Sequence, residues 1–323
     1  MYIVTGGAGF IGSAFVWKLN EMGIDDIMVV DNLSTTEKWK NLLGRRFDDY
    51  LHKDAFLETL LEDGLPPGIQ AVVHMGACSS TTEVNADYLM GNNYHYTMSL
   101  CHYCLEKNIR FINASSAATY GDGSKGFSDD DAGMRSLRPL NMYGYSKHLF
   151  DLWASRHGLL NIIASLKFFN VFGPNEYHKG DMKSVVCKAY HQIKETGKMR
   201  LFKSYRPDYP DGGQKRDFVY IKDCVEVLWW LLQNPEINGV FNLGTGTART
   251  WNELAKAVFK AMEVPENIEY MDMPESLRDK YQYFTQAEME KLAQAGCPVE
   301  FTDLEVAVRD YVTGYLAQDD PYL

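Results

Sequence analysis

Thr5-Gly6-Gly7-Ala8-Gly9-Phe10-Ile11-Gly12 is the stretch on which the reading of the fold turns. Tyr2-Ile3-Val4, a short apolar run, precedes it, and Ser13 to Met22 follows with the spacing of an amphipathic helix that stops at Gly23. A second apolar run, Ile27-Met28-Val29-Val30, then ends on Asp31. Strand, glycine turn, helix, strand and acid within about 30 residues make a dinucleotide-binding βαβ unit. Gly6, Gly9 and Gly12 serve a tight turn, the approach of a pyrophosphate and close packing of helix on strand, while the helix offers its first amides to the phosphates. Asp31 suits the diol of an adenosine ribose and taken alone reads as NAD. Asn32 is neutral, however, and Lys38 and Lys53 lie where they either neutralise a 2′-phosphate or sit in solvent.

Outward from this unit, apolar strands are expected at Ala71-Val72-Val73-His74, Arg110-Phe111-Ile112-Asn113-Ala114 and Ile162-Ile163-Ala164-Ser165-Leu166, with helices between them. That alternation predicts an α/β fold with a doubly wound parallel sheet covered on both faces. After Gly173-Pro174 the rhythm breaks, and Tyr205 to Gly213 reads as a surface loop or lid. A helix from Asp217 to about Leu232 and a strand at Gly239 to Leu243 return to the sheet, and the tail from Gln318 reads as frayed. The expected division is therefore a dinucleotide-binding domain at 1–170, rejoined by about 217–245, and a smaller discontinuous substrate lobe at 171–216 and 246–323.

The 323 residues exceed the usual size of a single core, which fits two lobes. A composition 46% hydrophobic and 23% charged is ordinary for a folded protein, and no run approaches the ~18 apolar residues of a membrane span. The start lacks the basic, apolar and small-residue regions of a signal peptide, so a cytoplasmic protein is expected. A net charge of -11 argues against a nucleic-acid partner. The six cysteines form no framework, and Cys101-His102-Tyr103-Cys104 reads as buried thiols on a helix rather than a metal site, so no metal is expected.

Tyr143-Gly144-Tyr145-Ser146-Lys147 places a phenol and an ammonium four residues apart, on one face of a helix. A free tyrosine titrates near ~10, and a neighbouring cation favours the phenolate, so such a pair can take a hydroxyl proton and return it. Ala114-Ser115-Ser116-Ala117-Ala118-Thr119-Tyr120-Gly121 puts small hydroxyl residues at a strand's carboxyl end, where ligands of doubly wound sheets bind.

In this order the motifs resemble the extended short-chain dehydrogenase/reductase superfamily, of Rossmann type. Phe169 to Pro174, Arg216 to Asp223 and Asn242 to Gly246 are similar to its further motifs, so the resemblance spans nearly the whole chain. It implies that Tyr143 is the general base, that Lys147 supports it and holds the nicotinamide ribose, and that Ser116 bonds the reacting oxygen. Asn170 and Arg216 would hold the sugar and the substrate diphosphate. Sugar-nucleotide dehydratases of the superfamily carry an Asp-Glu pair where this chain has Ala117 and Ala118, so an epimerase or a reductase is expected.

Gly76 to Glu83, Asn92-Asn93-Tyr94, Tyr177-His178-Lys179-Gly180 and Tyr281 to Gln286 are similar in particular to the ADP-heptose 6-epimerase family. That likeness implies tightly held NADP, with NAD second, and an ADP-linked heptose as substrate. It also implies a homo-oligomer, a pentamer being the candidate form; no membrane partner is expected, since no apolar run is long enough to span one. It extends the cofactor contacts to Phe10, Ile11, Met75, Gly76, Ala77, Cys78, Ser79, Asn92 and Val171, and makes Asn32, Lys38 and Lys53 neighbours of the 2′-phosphate. Lys179 resembles the second acid/base and also a cofactor contact, the alternative being a plain diphosphate-binding lysine; His178 reads as a positioning or surface residue. Phe202, Tyr281, Asp181 and Lys188 would border the substrate. Asp181 replaces a more usual serine and Lys188 a histidine, and the Tyr205–Gly213 loop is longer than the pattern. Two other readings stay open: a C4 epimerase or reductase of another sugar nucleotide, which needs no second base, and a non-catalytic dinucleotide sensor, which needs no Ser116, Tyr143 and Lys147 together.

Overall fold

The computed structural model describes residues 1–62, 64–278 and 281–323. Its strands, in chain order, are β1 (Tyr2–Thr5), β2 (Ile27–Asp31), β3 (Asp49–His52), β4 (Ala71–His74), β5 (Arg110–Ser116), β6 (Ala164–Phe168), β7 (Asn170–Phe172), β8 (Met199–Phe202), β9 (Lys215–Tyr220), β10 (Gly239–Leu243), β11 (Ala248–Thr250) and β12 (Ile268–Met271). Among the described residues, seven of them form one parallel sheet in the order β10-β6-β5-β4-β1-β2-β3.

Period-two alternation sorts the sheet's residues between two apolar layers. Val4, Val29, Val73 and Ile112 face one core, and Ile3, Met28, Val30, Val72 and Phe111 face the other. With both faces covered, β1, β2 and β4 read as unbroken apolar runs. β3 escapes that signal because Asp49-Tyr50-Leu51-His52 is an edge strand with its ends exposed. The first helix spans Phe10–Glu21, three residues earlier than expected, so the glycine turn passes directly into it. It is apolar on most sides because the sheet lies beneath it and the Ile221–Gln233 helix against it, with Lys18 Nζ 2.6 Å from Glu226 Oε1 at that contact.

β6 starts at Ala164 rather than Ile162, which is exposed at the end of a short 3-10 turn. β10 returns to the sheet beside β6, as read from the sequence. Lys215–Tyr220, by contrast, is a strand of the three-stranded sheet β11-β9-β7, and only the helix after it covers the large sheet. β8 and β12 make a third, two-stranded sheet. The tail is not frayed: Tyr177 Oη donates to the Pro321 carbonyl at 2.7 Å, and the Leu323 amide donates to Asn175 Oδ1 at 3.0 Å. No helix among the described residues is long and apolar enough to cross a membrane.

The chain reverses direction across the sheet between β1 and β4. Ligands of doubly wound sheets bind outside the carboxyl ends of the strands at such a point. Here the Gly6–Gly12 turn and the Met75–Ser79 segment flank it.

Candidate active site

Gly6 has φ +64°, and a Cβ there would lie 2.6 Å from the Gly76 amide nitrogen; one on Gly12 would overlap the Gly6 carbonyl oxygen. Only glycine fits either place, so β1, the turn and the segment after β4 close to backbone contact and leave a groove at the helix N-terminus. A cavity beside it is lined by Gly6, Asp31, Asn32, Lys38, Lys53, Gly76, Ala77, Cys78 and Asn92, all expected from the sequence. Thr5, Val30, Tyr88 and Tyr96 also line it and were not foreseen; Thr5 and Val30 at strand ends could have been read from the βαβ spacing.

Asp31 accepts from the Ala8 amide at 2.9 Å and is paired with Lys38 Nζ at 2.6 Å. Its charge is thereby spent on protein partners, and Lys53, paired with exposed Asp54 at 2.7 Å, adds a second cation to the wall. Behind the turn, Asn41 Nδ2 donates to the carbonyls of Ala8 and Asn175 at 2.9 and 3.0 Å and lies 3.2 Å from His178 Nδ1. Burial first, then Lys38 and Lys179, hold His178 down at about 4, so it is neutral and accepts from Asn41. It is half-buried behind the glycine turn rather than exposed at the surface.

Asn93, buried, receives the Cys78 amide at 2.8 Å and returns a bond to the Cys78 carbonyl at 2.9 Å. It also donates to Ser146 Oγ at 3.1 Å, which ties the Met75–Ser79 segment to the Met142–Arg156 helix. Met75 continues the sheet contact, its amide donating to the Thr5 carbonyl at 3.0 Å, and Ser79 is exposed. Asn141 caps that helix through the Gly144 amide at 2.8 Å. In its first turn Tyr143 stands near Ser116, which ends β5.

Burial pushes the Tyr143 phenol up, and the Ser116 hydroxyl opposes it. In this arrangement burial outweighs the lowering expected from the Tyr143–Lys147 spacing. Lys147 is buried with no hydrogen-bond partner for Nζ; desolvation pulls it down to about 8, and Asp151 pulls it up. A buried ammonium without a partner is costly unless a ligand supplies one. The glycine groove, the two cations near Asp31 and the unsatisfied Lys147 thus fit a nicotinamide dinucleotide. Cys101 and Cys104 lie buried on their helix, and burial pushes the Cys101 thiol up to about 12 and the Cys104 thiol higher still.

Phe202, Arg216 and Tyr281 meet in one cluster. The Arg216 guanidinium lies 5.3 Å from the Tyr281 ring and 5.7 Å from that of Trp251, whose Nε1 donates to Tyr281 Oη at 2.9 Å. Phe202 stands edge-on to Tyr281 at 6.3 Å. Arg216 is buried, and no carboxylate pairs with it among the described residues, so it is a cation held by aromatic faces and open to an anion. Trp251 was missed because its partner lies far away in sequence. Asn170, exposed at the start of β7, registers with Phe218 of the same small sheet, and Val171 follows it, half-buried.

Lys179 lies in the 3-10 turn Tyr177–Met182, with Nζ 5.0 Å from the centre of the Phe10 ring at the start of the first helix. Burial lowers its pKa, Glu176 raises it and Lys188 lowers it. Lys188 Nζ donates to the Asp181 carbonyl at 2.5 Å, so the two departures from the family pattern bond to one another at the surface. Ile11 continues the Phe10 helix, half-buried against the core. No hydrogen bond joins Lys179 to Tyr143 among the described residues. Lys179 lies after β7 beside the start of the first helix, and Tyr143 on the helix that follows β5.

A glycine turn at the switch point, Ser116 at the end of β5 with Tyr143 and Lys147 on the helix after it, and a buried arginine with no carboxylate partner among the described residues fit a nicotinamide-dependent enzyme of sugar nucleotides. Residues 2–244 match the NAD dependent epimerase/dehydratase family. The chain is 70% identical over 323 residues, all of both chains, to the ADP-L-glycero-D-manno-heptose-6-epimerase of Nitratidesulfovibrio vulgaris strain DP4. It is 49% identical to the protein of that name from Fusobacterium nucleatum, again over the whole of both chains. The crystal structure of the Helicobacter pylori ADP-L-glycero-D-manno-heptose-6-epimerase superposes with TM-score 0.80 at 26% identity, covering 98% of this chain and 96% of that one. The chain belongs to the NAD dependent epimerase/dehydratase family and, within it, to the ADP-L-glycero-D-manno-heptose-6-epimerases.

Proposed function

We propose that the protein inverts C6 of the heptose in ADP-D-glycero-D-manno-heptose, giving the L-glycero epimer, by transient oxidation and re-reduction at that carbon. The observation that carries this reading is the 70% identity, over its full length, with a protein named for that activity. The product would supply heptose for the lipopolysaccharide core. Lys147 and the Gly6–Gly12 turn would hold the cofactor, and Asn32, Lys38 and Lys53 a 2′-phosphate, which favours NADP over NAD; the pairing of Asp31 with Lys38 supports this choice.

When bound, the nicotinamide supplies the hydride acceptor and donor and, oxidised, a positive charge that favours the phenolate. Tyr143 takes the proton of the C6 hydroxyl while Ser116 hydrogen-bonds its oxygen, and a 6-keto sugar results. Lys147 keeps positive charge behind the phenol and meets the ribose. Once the keto sugar presents its other face, the oxygen that becomes the new hydroxyl receives its proton from Lys179, whose lowered pKa suits an acid/base role. Arg216 binds the diphosphate and Asn170 the sugar, while Phe202 and Tyr281 border the nucleotide and Asp181 and Lys188 the rim. We place the enzyme in the cytoplasm as a homo-oligomer. Proton NMR of the sugar after incubation with purified protein tests the reading: both epimers should approach the same mixture without added cofactor, and an unchanged substrate would refute it.

A further inference from the structure

Beneath the Met142–Arg156 helix the sheet is polar where an apolar layer is the ordinary solution. Asp151, two turns beyond Tyr143 on that helix, is wholly buried, and Lys167 of β6 is 1% exposed. Lys167 Nζ lies 2.9 Å from Asp151 Oδ2 and donates to Thr119 Oγ1 at 2.7 Å. The same carboxylate accepts from Ser115 Oγ at 2.6 Å and from Ser165 Oγ at 3.1 Å. Register explains the meeting: Ser115 is the β5 neighbour of Lys167, so the two side chains rise on the same face of the sheet.

We propose that the buried Asp151–Lys167 pair is a positioning device that fixes Ser116 and Tyr143 relative to one another. Ser115, held by Asp151, is the residue immediately before Ser116. Thr119, held by Lys167, lies in the 3-10 turn Ala117–Tyr120 that Ser116 caps through the Ala118 amide at 3.1 Å. The Lys167 ammonium also lies 5.0 Å from the centre of the Tyr120 ring, at the end of that turn. The Ala118 carbonyl packs against Gly144, where a Cβ would come within 2.7 Å of the oxygen, so the turn sets the position of the residue after Tyr143. One carboxylate and one ammonium thus hold the strand end, the turn and the helix that together carry the hydroxyl and the phenol.

Stability alone does not account for such a pair. An ion pair taken out of water is commonly no more stabilising than apolar side chains of similar volume, whereas loss of one partner strands a buried charge. Its bonds, however, are directional, and a misplacement of about 1 Å at reacting groups can cost about a hundredfold in rate.

The inference rests on Ser116 and Tyr143 being the catalytic pair, and its test compares the full-length wild type with Asp151→Leu/Lys167→Met, Ser115→Ala and Thr119→Val. The apolar double variant should melt close to the wild type and keep its cofactor, yet turn over at least about tenfold more slowly with KM within about twofold. Ser115→Ala and Thr119→Val each remove one hydroxyl and leave the charges in place; each should lower kcat about three- to tenfold at unchanged KM, a result independent of how the double variant folds. Wild-type kcat in a folded double variant or in both hydroxyl variants overturns the proposal, as does a kcat loss that only follows thermal stability across the set. A wild type that fails to convert the heptose would instead refute the catalytic reading, and this inference with it.

Discussion

Replacement of Lys38 by alanine should change which cofactor the protein prefers rather than whether it binds one. Lys38 is half-buried in the cavity wall and lies 2.6 Å from a carboxylate that is itself 7% exposed. In the wild type that carboxylate is occupied, and the pair offers a phosphate a cation at little net cost. A hydrogen bond from a charged group is worth about 1.5–3 kcal/mol, so losing it should weaken NADP by about tenfold to a hundredfold. The same substitution frees Asp31 to accept from a ribose diol, so NAD should bind as well as before or better. Lys53→Ala should have a smaller effect, since Lys53 already pairs with exposed Asp54. Calorimetric titration of cofactor-stripped protein with each dinucleotide measures the ratio. Equal weakening of NADP and NAD would mean that Lys38 only shapes the cavity, and an unchanged NADP affinity would remove it from the phosphate site.

Other perturbations separate the roles of the remaining groups. Tyr143→Phe keeps the ring and removes the proton carrier, so kcat should fall by about 10²–10⁴ with KM little changed; retention of a tenth of the rate would exclude Tyr143 as the base. Lys179→Ala should abolish inversion in steady-state assays. If it left full turnover while Tyr143→Phe did not, one base would suffice and inversion at another carbon, such as C4, would become the better reading. His74, which bonds Thr5 and Thr97 at 2.5 and 2.9 Å, is held neutral by burial, its pKa pulled down to about 3. Its folded value lies below the unfolded one, so its stabilising effect is complete above about pH 6.5 and is lost as pH falls from there toward 3, about 2 kcal/mol of it by pH 5. Urea titrations at pH 7 and pH 5 should therefore show a shallower pH dependence for His74→Gln, and identical slopes would contradict the assignment.

The dinucleotide half was legible because its signals are local. Glycines that no other residue can replace, together with strands buried on both faces, leave a one-dimensional trace. β3 left none, since an edge strand with exposed ends has no apolar run, and the first helix began early because Phe10 to Gly12 serve turn and helix at once. The Tyr143–Lys147 spacing was readable, but the dominance of burial over charge at Tyr143 was not, because desolvation depends on what the rest of the chain places around it. Likewise Lys38 and Asp31 were both identified, yet their bond to each other is a tertiary fact. The tail was misjudged for the same reason: its anchors, Asn175 and Tyr177, lie well over a hundred residues upstream. The polar layer under the Met142–Arg156 helix was invisible, because Ser115, Ser165 and Lys167 alternate with apolar residues as any half-exposed strand would.

Isotope retention tests most directly whether C6 is inverted by removal and return of the same hydride. ADP-D-glycero-D-manno-heptose carrying deuterium at C6 should yield the L-glycero epimer with deuterium still on C6, in ordinary water and without added cofactor. Product that has exchanged its deuterium for solvent hydrogen, or no product at all, would contradict the account.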